Sequence, residues 1–138
     1  MLKANPKKKK AESLSTITNR LDKLVSKIVR LRDKACVVCG STQNPQCGHY
    51  VSRMFIATRF DLSNCHQQCA GCNMTHEVDP VPYTLFIQET YGREYPATLS
   101  ALAHQTKVLK RAERLELEIE LKEELRKLEA VDGNVETW

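Results

Sequence analysis

Two C-x-x-C pairs constrain this chain more than anything else in it: Cys36-Val-Val-Cys39 and Cys69-Ala-Gly-Cys72, with 29 residues between them. Each pair can form a tight knuckle that aims two thiolates at one ion, and two knuckles make a closed tetrahedral site for Zn²⁺. A thiol-redox pair is the competing use of such spacing. Four thiolates leave no open coordination position, so the expected zinc orders the fold and does not catalyse. Such a site supplies roughly 10 kcal/mol or more of folding free energy, which a small core needs. Two further thiols, Cys47 and Cys65, read as small buried apolar side chains.

The frame sits in a chain of 138 residues, enough for one domain. No stretch approaches the ~20 apolar residues of a membrane span. The start, MLKANPKKKK, carries charge without an apolar stretch behind it, so no secretory signal is expected and the expected location is cytoplasmic. Charge is unevenly spread. Residues 1–35 hold eleven Lys and Arg against three acids, whereas the rest of the chain is slightly acidic. Lys7, Lys8, Lys9 and Lys10 form an unbroken run. A basic arm of this kind suits nucleic acid through counterion release; a solvated tail that aids solubility is the alternative.

Residues 1–12 read as a disordered arm. Leu14, Ile17, Leu21, Leu24, Val25, Ile28 and Val29 then recur at three- and four-residue steps, which predicts a helix through about Leu31. Two short strands are expected near Cys47–Val51 and Phe60–Leu62. A short helix should start near Cys69 and end before Pro80, with further helices over Pro82–Tyr91 and from Pro96 to about His104. From Lys107 to about Val131 the sequence is rich in Glu, Lys, Arg and Leu and lacks Gly and Pro. LELEIEL alternates as a strand would, but Leu121, Leu125 and Leu128 continue at helical spacing and helix formers dominate. A long helix with two adjacent apolar rows is expected, able to pack on the domain and on a partner helix. A domain over 13–106, the long helix over 107–131 and a tail over 132–138 complete the expected organisation, an α+β fold.

Between the knuckles lie His49 in CGHY, Asn64 five residues before Cys69, and Asn73 directly after Cys72. A histidine and two asparagines at these offsets from two C-x-x-C pairs resemble the HNH nuclease superfamily with its ββα-metal fold. The run CVVCG…CGHYVSR…RFDLSNCHQQCAGCN…VPYTLFIQETYG is similar, more narrowly, to the NinG/Rap family of phage recombination nucleases. Longer members of that family carry an extra Cys-containing segment before the basic helix, where this chain has a short lysine arm.

The resemblance implies a metal-dependent endonuclease that cuts branched DNA such as Holliday junctions and D-loops, leaving 5′-phosphate ends. It implies His49 as the general base, Asn64 as the residue that holds the loop and orients His49, and Asn73 as a ligand of a catalytic Mg²⁺ or Mn²⁺. The chemistry agrees: a histidine near its ordinary pKa can take a proton from water at neutral pH, and an amide oxygen suits a hard cation. Many superfamily members place a metal-binding Asp or His just before the base, where this chain has Gly48. His66 is the first choice to replace that ligand, with Asp61, His76 and Glu77 as alternatives. Arg53 and Arg59 are expected to clamp phosphates. A two-fold dimer through the long helix would match a symmetric junction. A zinc-binding nucleic-acid adaptor without catalysis is the rival class.

Overall fold

The computed structural model describes residues 11–135, so Lys7 to Lys10 and most of the expected arm lie outside the described residues. The first element, α1 (Leu14–Asp33), begins on Ser13, whose side chain accepts from the Thr16 amide at 3.1 Å. It ends on Lys34 in the left-handed region, φ 65°. Ile17, Leu21, Val25, Ile28 and Val29 form its buried stripe, as their spacing predicts. Each such side chain contributes roughly 1.5–3 kcal/mol on burial.

A two-stranded antiparallel sheet follows, made of β1 (Pro45–His49) and β2 (Cys65–Cys69). Between the strands runs a loop holding the one-turn helix α2 (Ile56–Arg59). Then come α3 (Ala70–His76), α4 (Val81–Tyr91), α5 (Tyr95–Ala103) and α6 (Arg111–Val135). The helices fall close to their expected spans, with α6 starting later and running further. The second strand does not. Phe60–Leu62 was expected to be extended, but Asp61 Oδ1 accepts from the Ser63 amide (2.9 Å) and hydroxyl (2.6 Å), turning the chain there. The strand forms five residues on, in CHQQC.

The register pairs Gly48 with His66 and His49 with Cys65. Side chains alternate along a strand, so Cys47, His49, Cys65 and Gln67 share one face, and Gly48, His66 and Gln68 the other. The first face packs on α1, in a core of the α1 stripe with Phe60, Cys65, Leu121 and Leu125. The second packs on α4 and α5, in a core of Tyr83, Ile87 and Leu99. Helix α1 grips β2 directly. Arg32 donates to the Leu62 carbonyl (2.9 Å) and the Cys65 carbonyl (2.7 Å), while Asp33 accepts from the Gln67 amide (2.8 Å).

Helix α6 lies along α1, with Leu121 and Leu125 buried and Glu118 paired to Arg20 at 2.6 Å. Its second apolar row leaves Ile119 70% exposed and Leu115 37% exposed. Among the described residues, no helix is long and apolar enough to cross a membrane.

Candidate functional site

The cysteine frame forms as its spacing predicts. Cys36 and Cys39 sit in the turn before β1, while Cys69 ends β2 and Cys72 lies in the first turn of α3. The four sulfurs all lie within 4.8 Å of one another. The Cys39 amide points at Cys36 Sγ (3.5 Å) and the Cys72 amide at Cys69 Sγ (3.4 Å). Gly40, at φ +78°, lets the first knuckle close, its amide donating to the Cys36 carbonyl at 2.8 Å. Amides aimed at sulfur favour the thiolate. Burial pushes the Cys36 thiol up, but the backbone N–H groups of Cys39, Cys69 and Val38 outweigh it and bring it down to about 7. The donor set therefore fits a soft metal ion such as zinc.

Beside this frame, α1, the end of β1 and α3 enclose a cavity of about 640 Å³. His49, Arg53, Asn73, His76 and Glu77 line it, with Asp22 on the α1 side. His49 Nε2 donates to the Arg59 carbonyl at 2.9 Å. A carbonyl only accepts, so Nε2 carries the proton and Nδ1 keeps its lone pair. Burial, first, and the nearby Arg53 hold the His49 pKa below its ordinary value, against the raising pull of the Arg59 carbonyl and Asp22. The imidazole is thus neutral at pH 7 and able to accept a proton. Asn73 Nδ2 donates to Gln46 Oε1 at 2.9 Å, which leaves its Oδ1 unclaimed. Glu77 is one helical turn beyond Asn73 and exposed.

Asn64 is fully buried and ties the loop between the strands to itself. Its Oδ1 accepts from the Val51 amide (2.8 Å), and its Nδ2 donates to the carbonyls of Val51 (3.0 Å) and Thr58 (3.2 Å). The expected direct bond to His49 is replaced by an indirect one: Asn64 fixes the loop, and the loop's Arg59 carbonyl holds the ring.

His66 does not meet the expectation set for it. The pairing of His49 with Cys65 puts His66 on the opposite face of the sheet. There it is 1% exposed, between Tyr83 and Tyr91. Tyr83 OH donates to the Gly48 carbonyl (2.8 Å) and so accepts from His66 Nδ1 (3.0 Å). Tyr91 OH therefore donates to Nε2 (2.7 Å), and both ring nitrogens are taken. Burial, with Arg32 nearby, drives the His66 pKa down to about 4. Asp61 is likewise spent on the Ser63 turn.

Gly48 faces the same side as His66, and a Cβ there would lie 1.9 Å from the buried Gln68 Oε1. No larger residue fits at position 48 without moving Gln68. Arg59 is also not free for phosphate. Its guanidinium grips Asp22 at 3.0 Å (Nε) and 2.7 Å (Nη2). Arg53, 63% exposed and 3.5 Å from Asp22, remains open to the cavity.

Over residues 2–131 the chain matches the family model described as bacteriophage lambda NinG protein. It is 36% identical over 66 residues to protein ninG of Salmonella phage P22, a stretch that is 46% of this chain and 32% of that protein. It is 35% identical over 68 residues to protein ninG of Escherichia phage 933W, covering 47% of this chain and 34% of that one. The matched stretch thus spans about a third of the length of these relatives. No solved structure matches the chain. The family match reaches from the basic arm into α6 and takes in both knuckles, His49, Asn64 and Asn73: the chain belongs to the bacteriophage lambda NinG protein family.

Proposed function

We propose that the protein is a metal-dependent endonuclease of the HNH type that cuts branched DNA recombination intermediates. The observation that carries this is the placement of His49. Its ring is held by the Arg59 carbonyl through Nε2 and set in a cavity shared with Asn73, Glu77 and Arg53, where burial holds its pKa below the ordinary value. In hydrolysis, Nδ1 takes the proton from the attacking water, and Arg53 neutralises charge on a phosphate oxygen. Asn73 Oδ1 and the Glu77 carboxylate, both hard oxygen donors, would hold Mg²⁺ or Mn²⁺. When bound, that ion would stabilise charge on the leaving oxygen. Lys7 to Lys10 would add sequence-independent hold on the DNA backbone.

Four-way junctions have two symmetric cleavage positions, which a two-fold dimer would match; the exposed Leu115 and Ile119 of α6 offer a contact for one. The rival reading, a zinc-bearing DNA adaptor without catalysis, draws on Gly48, since the closed space there excludes the usual acidic ligand. Cleavage of a labelled four-way junction in Mg²⁺ or Mn²⁺, wild type beside His49→Ala, decides between them. The variant should bind the junction and cut it roughly 10²–10⁴-fold more slowly. Full cleavage by His49→Ala, or wild-type binding without cleavage in either metal, replaces the enzyme by the adaptor.

A further inference from the structure

At the cavity lies a second cluster of metal-binding side chains, separate from the four-cysteine frame and sharing only His49 with the proposed hydrolysis. Cys47, His49 and Cys65 come together because their positions alternate onto one face of the sheet, and each offers a ligand atom within 4.8 Å of the other two. The four-cysteine frame meets the same spacing. Cys47 and His49 line the cavity, while Cys65 is fully buried behind them.

We propose that Cys47, His49 and Cys65 form a second soft-metal site, for Zn²⁺, whose occupation takes His49 out of service. Two thiolates and an imidazole are the ligands zinc favours, and three protein ligands leave the fourth tetrahedral position open toward the cavity. Without metal, His49 Nε2 (2.9 Å) and Cys65 Sγ (3.5 Å) both donate to the Arg59 carbonyl. On binding, Zn²⁺ would displace the two thiol protons and take the one lone pair of the neutral His49 ring. With Nδ1 bound the proton stays on Nε2, with Nε2 bound it moves to Nδ1, and neither nitrogen is then left to accept a proton from water. Hard Mg²⁺ gains little from thiolates and stays with the oxygens of Asn73 and Glu77. One cavity then distinguishes two cations: one supports hydrolysis, and the other blocks its base.

The regulatory consequence rests on the nuclease reading, but the site itself does not, so the metal is counted directly. Full-length protein is equilibrated with Zn²⁺, freed of excess by gel filtration and analysed for metal. Wild type should hold two zinc ions per chain, and Cys47→Ser and Cys65→Ser one each. Retained far-UV ellipticity is the check that each variant folds. Should neither variant fold, Co²⁺ titration of wild type gives the answer: the second equivalent should add sulfur-to-metal charge transfer at about half the intensity of the first, from two thiolates against four. One zinc per wild-type chain, two in both variants, or a second Co²⁺ without charge transfer overturns the site. In cleavage assays containing Mg²⁺, Cys47→Ser should need on the order of tenfold or more Zn²⁺ for half-inhibition. If wild type cuts no DNA, the metal count still stands or falls alone.

Discussion

Replacing Asn64 by alanine removes three hydrogen bonds at once and leaves the Val51 amide, the Val51 carbonyl and the Thr58 carbonyl without their side-chain partner. A buried polar group stripped of its partner costs about 1–3 kcal/mol. Val51 lies at the edge of the core, where water can partly take over, whereas Thr58 is 0% exposed. The sum should therefore fall at about 2–4 kcal/mol, a large share of the stability of a small domain. Asn64→Asp is the sharper variant. It keeps the shape and the bond from the Val51 amide, but turns an oxygen toward two carbonyl oxygens now 3.0 and 3.2 Å from Nδ2. A carboxylate cannot donate there, so burial raises its folded pKa above the unfolded value of about 3.9. With a raised folded pKa, the protonated form's stability is present below about pH 3.9 and is lost as pH rises through the folded value. The deficit against wild type should thus widen by up to about 1.4 kcal/mol per pH unit in that window and be largest at neutral pH. Urea unfolding of zinc-loaded protein, followed by far-UV ellipticity at matched pH values, measures both variants. An alanine variant within about 0.5 kcal/mol of wild type, or an aspartate variant equal to wild type at pH 7, would refute the strap.

Other outcomes can be checked on the same samples. Cys36→Ser, or removal of metal by a chelator, should abolish cooperative unfolding and most helical ellipticity, because the frame joins the turn before β1 to the start of α3. Gly48→Ala should cost about 1–3 kcal/mol by forcing its Cβ on Gln68, and Gln68→Ala in the same chain should recover part of that in a double-mutant cycle. His66 has a folded pKa lowered to about 4, so its contribution is present above about pH 6.5 and lost as pH falls toward 4. Wild type should lose about 3 kcal/mol over that range relative to His66→Gln, and parallel pH profiles would remove the burial argument.

What the sequence reveals of this fold is what is local in it. The knuckles declare themselves because C-x-x-C is a four-residue turn. Helix α1 is visible because its five buried side chains repeat at helical spacing. His49, Asn64 and Asn73 stand out in the sequence because they sit at short fixed offsets from the cysteines. The strand β2 is hidden for a physical reason. Both its faces are covered, by α1 and by α4, so CHQQC is buried almost throughout and shows no alternation of apolar and polar residues. Phe60-Asp61-Leu62 does alternate, but the Asp61 side chain bonds the local backbone and wins a turn. The place of His66 follows from that displaced strand. Without the register, His66 cannot be assigned a face, and the Cys47–His49–Cys65 cluster stays invisible. The Arg59–Asp22 pair, 37 residues apart, needs the tertiary structure.

Register is also what a metal in the four-cysteine frame would protect. In a strand of period two, a slip by one residue exchanges the faces. Here it would carry His49 out of the cavity and toward the side now held by Tyr83 and Tyr91. Among the described residues the sheet has one pair of strands, and β2 lacks an apolar face to set its own alignment. Alignment therefore comes from outside the strands. Asp33 holds the Gln67 amide, Arg32 holds the Cys65 carbonyl, and the Val37 amide donates to the Gln67 carbonyl at 2.9 Å. Val37 lies inside the first knuckle, and Cys69 of the second ends β2. A metal held by the four cysteines would thus tie the turn before β1 to the end of β2, the two points between which a slip would have to occur. With a metal in it, the closed four-cysteine site would decide which of two histidines, the half-buried His49 or the buried His66, faces the cavity.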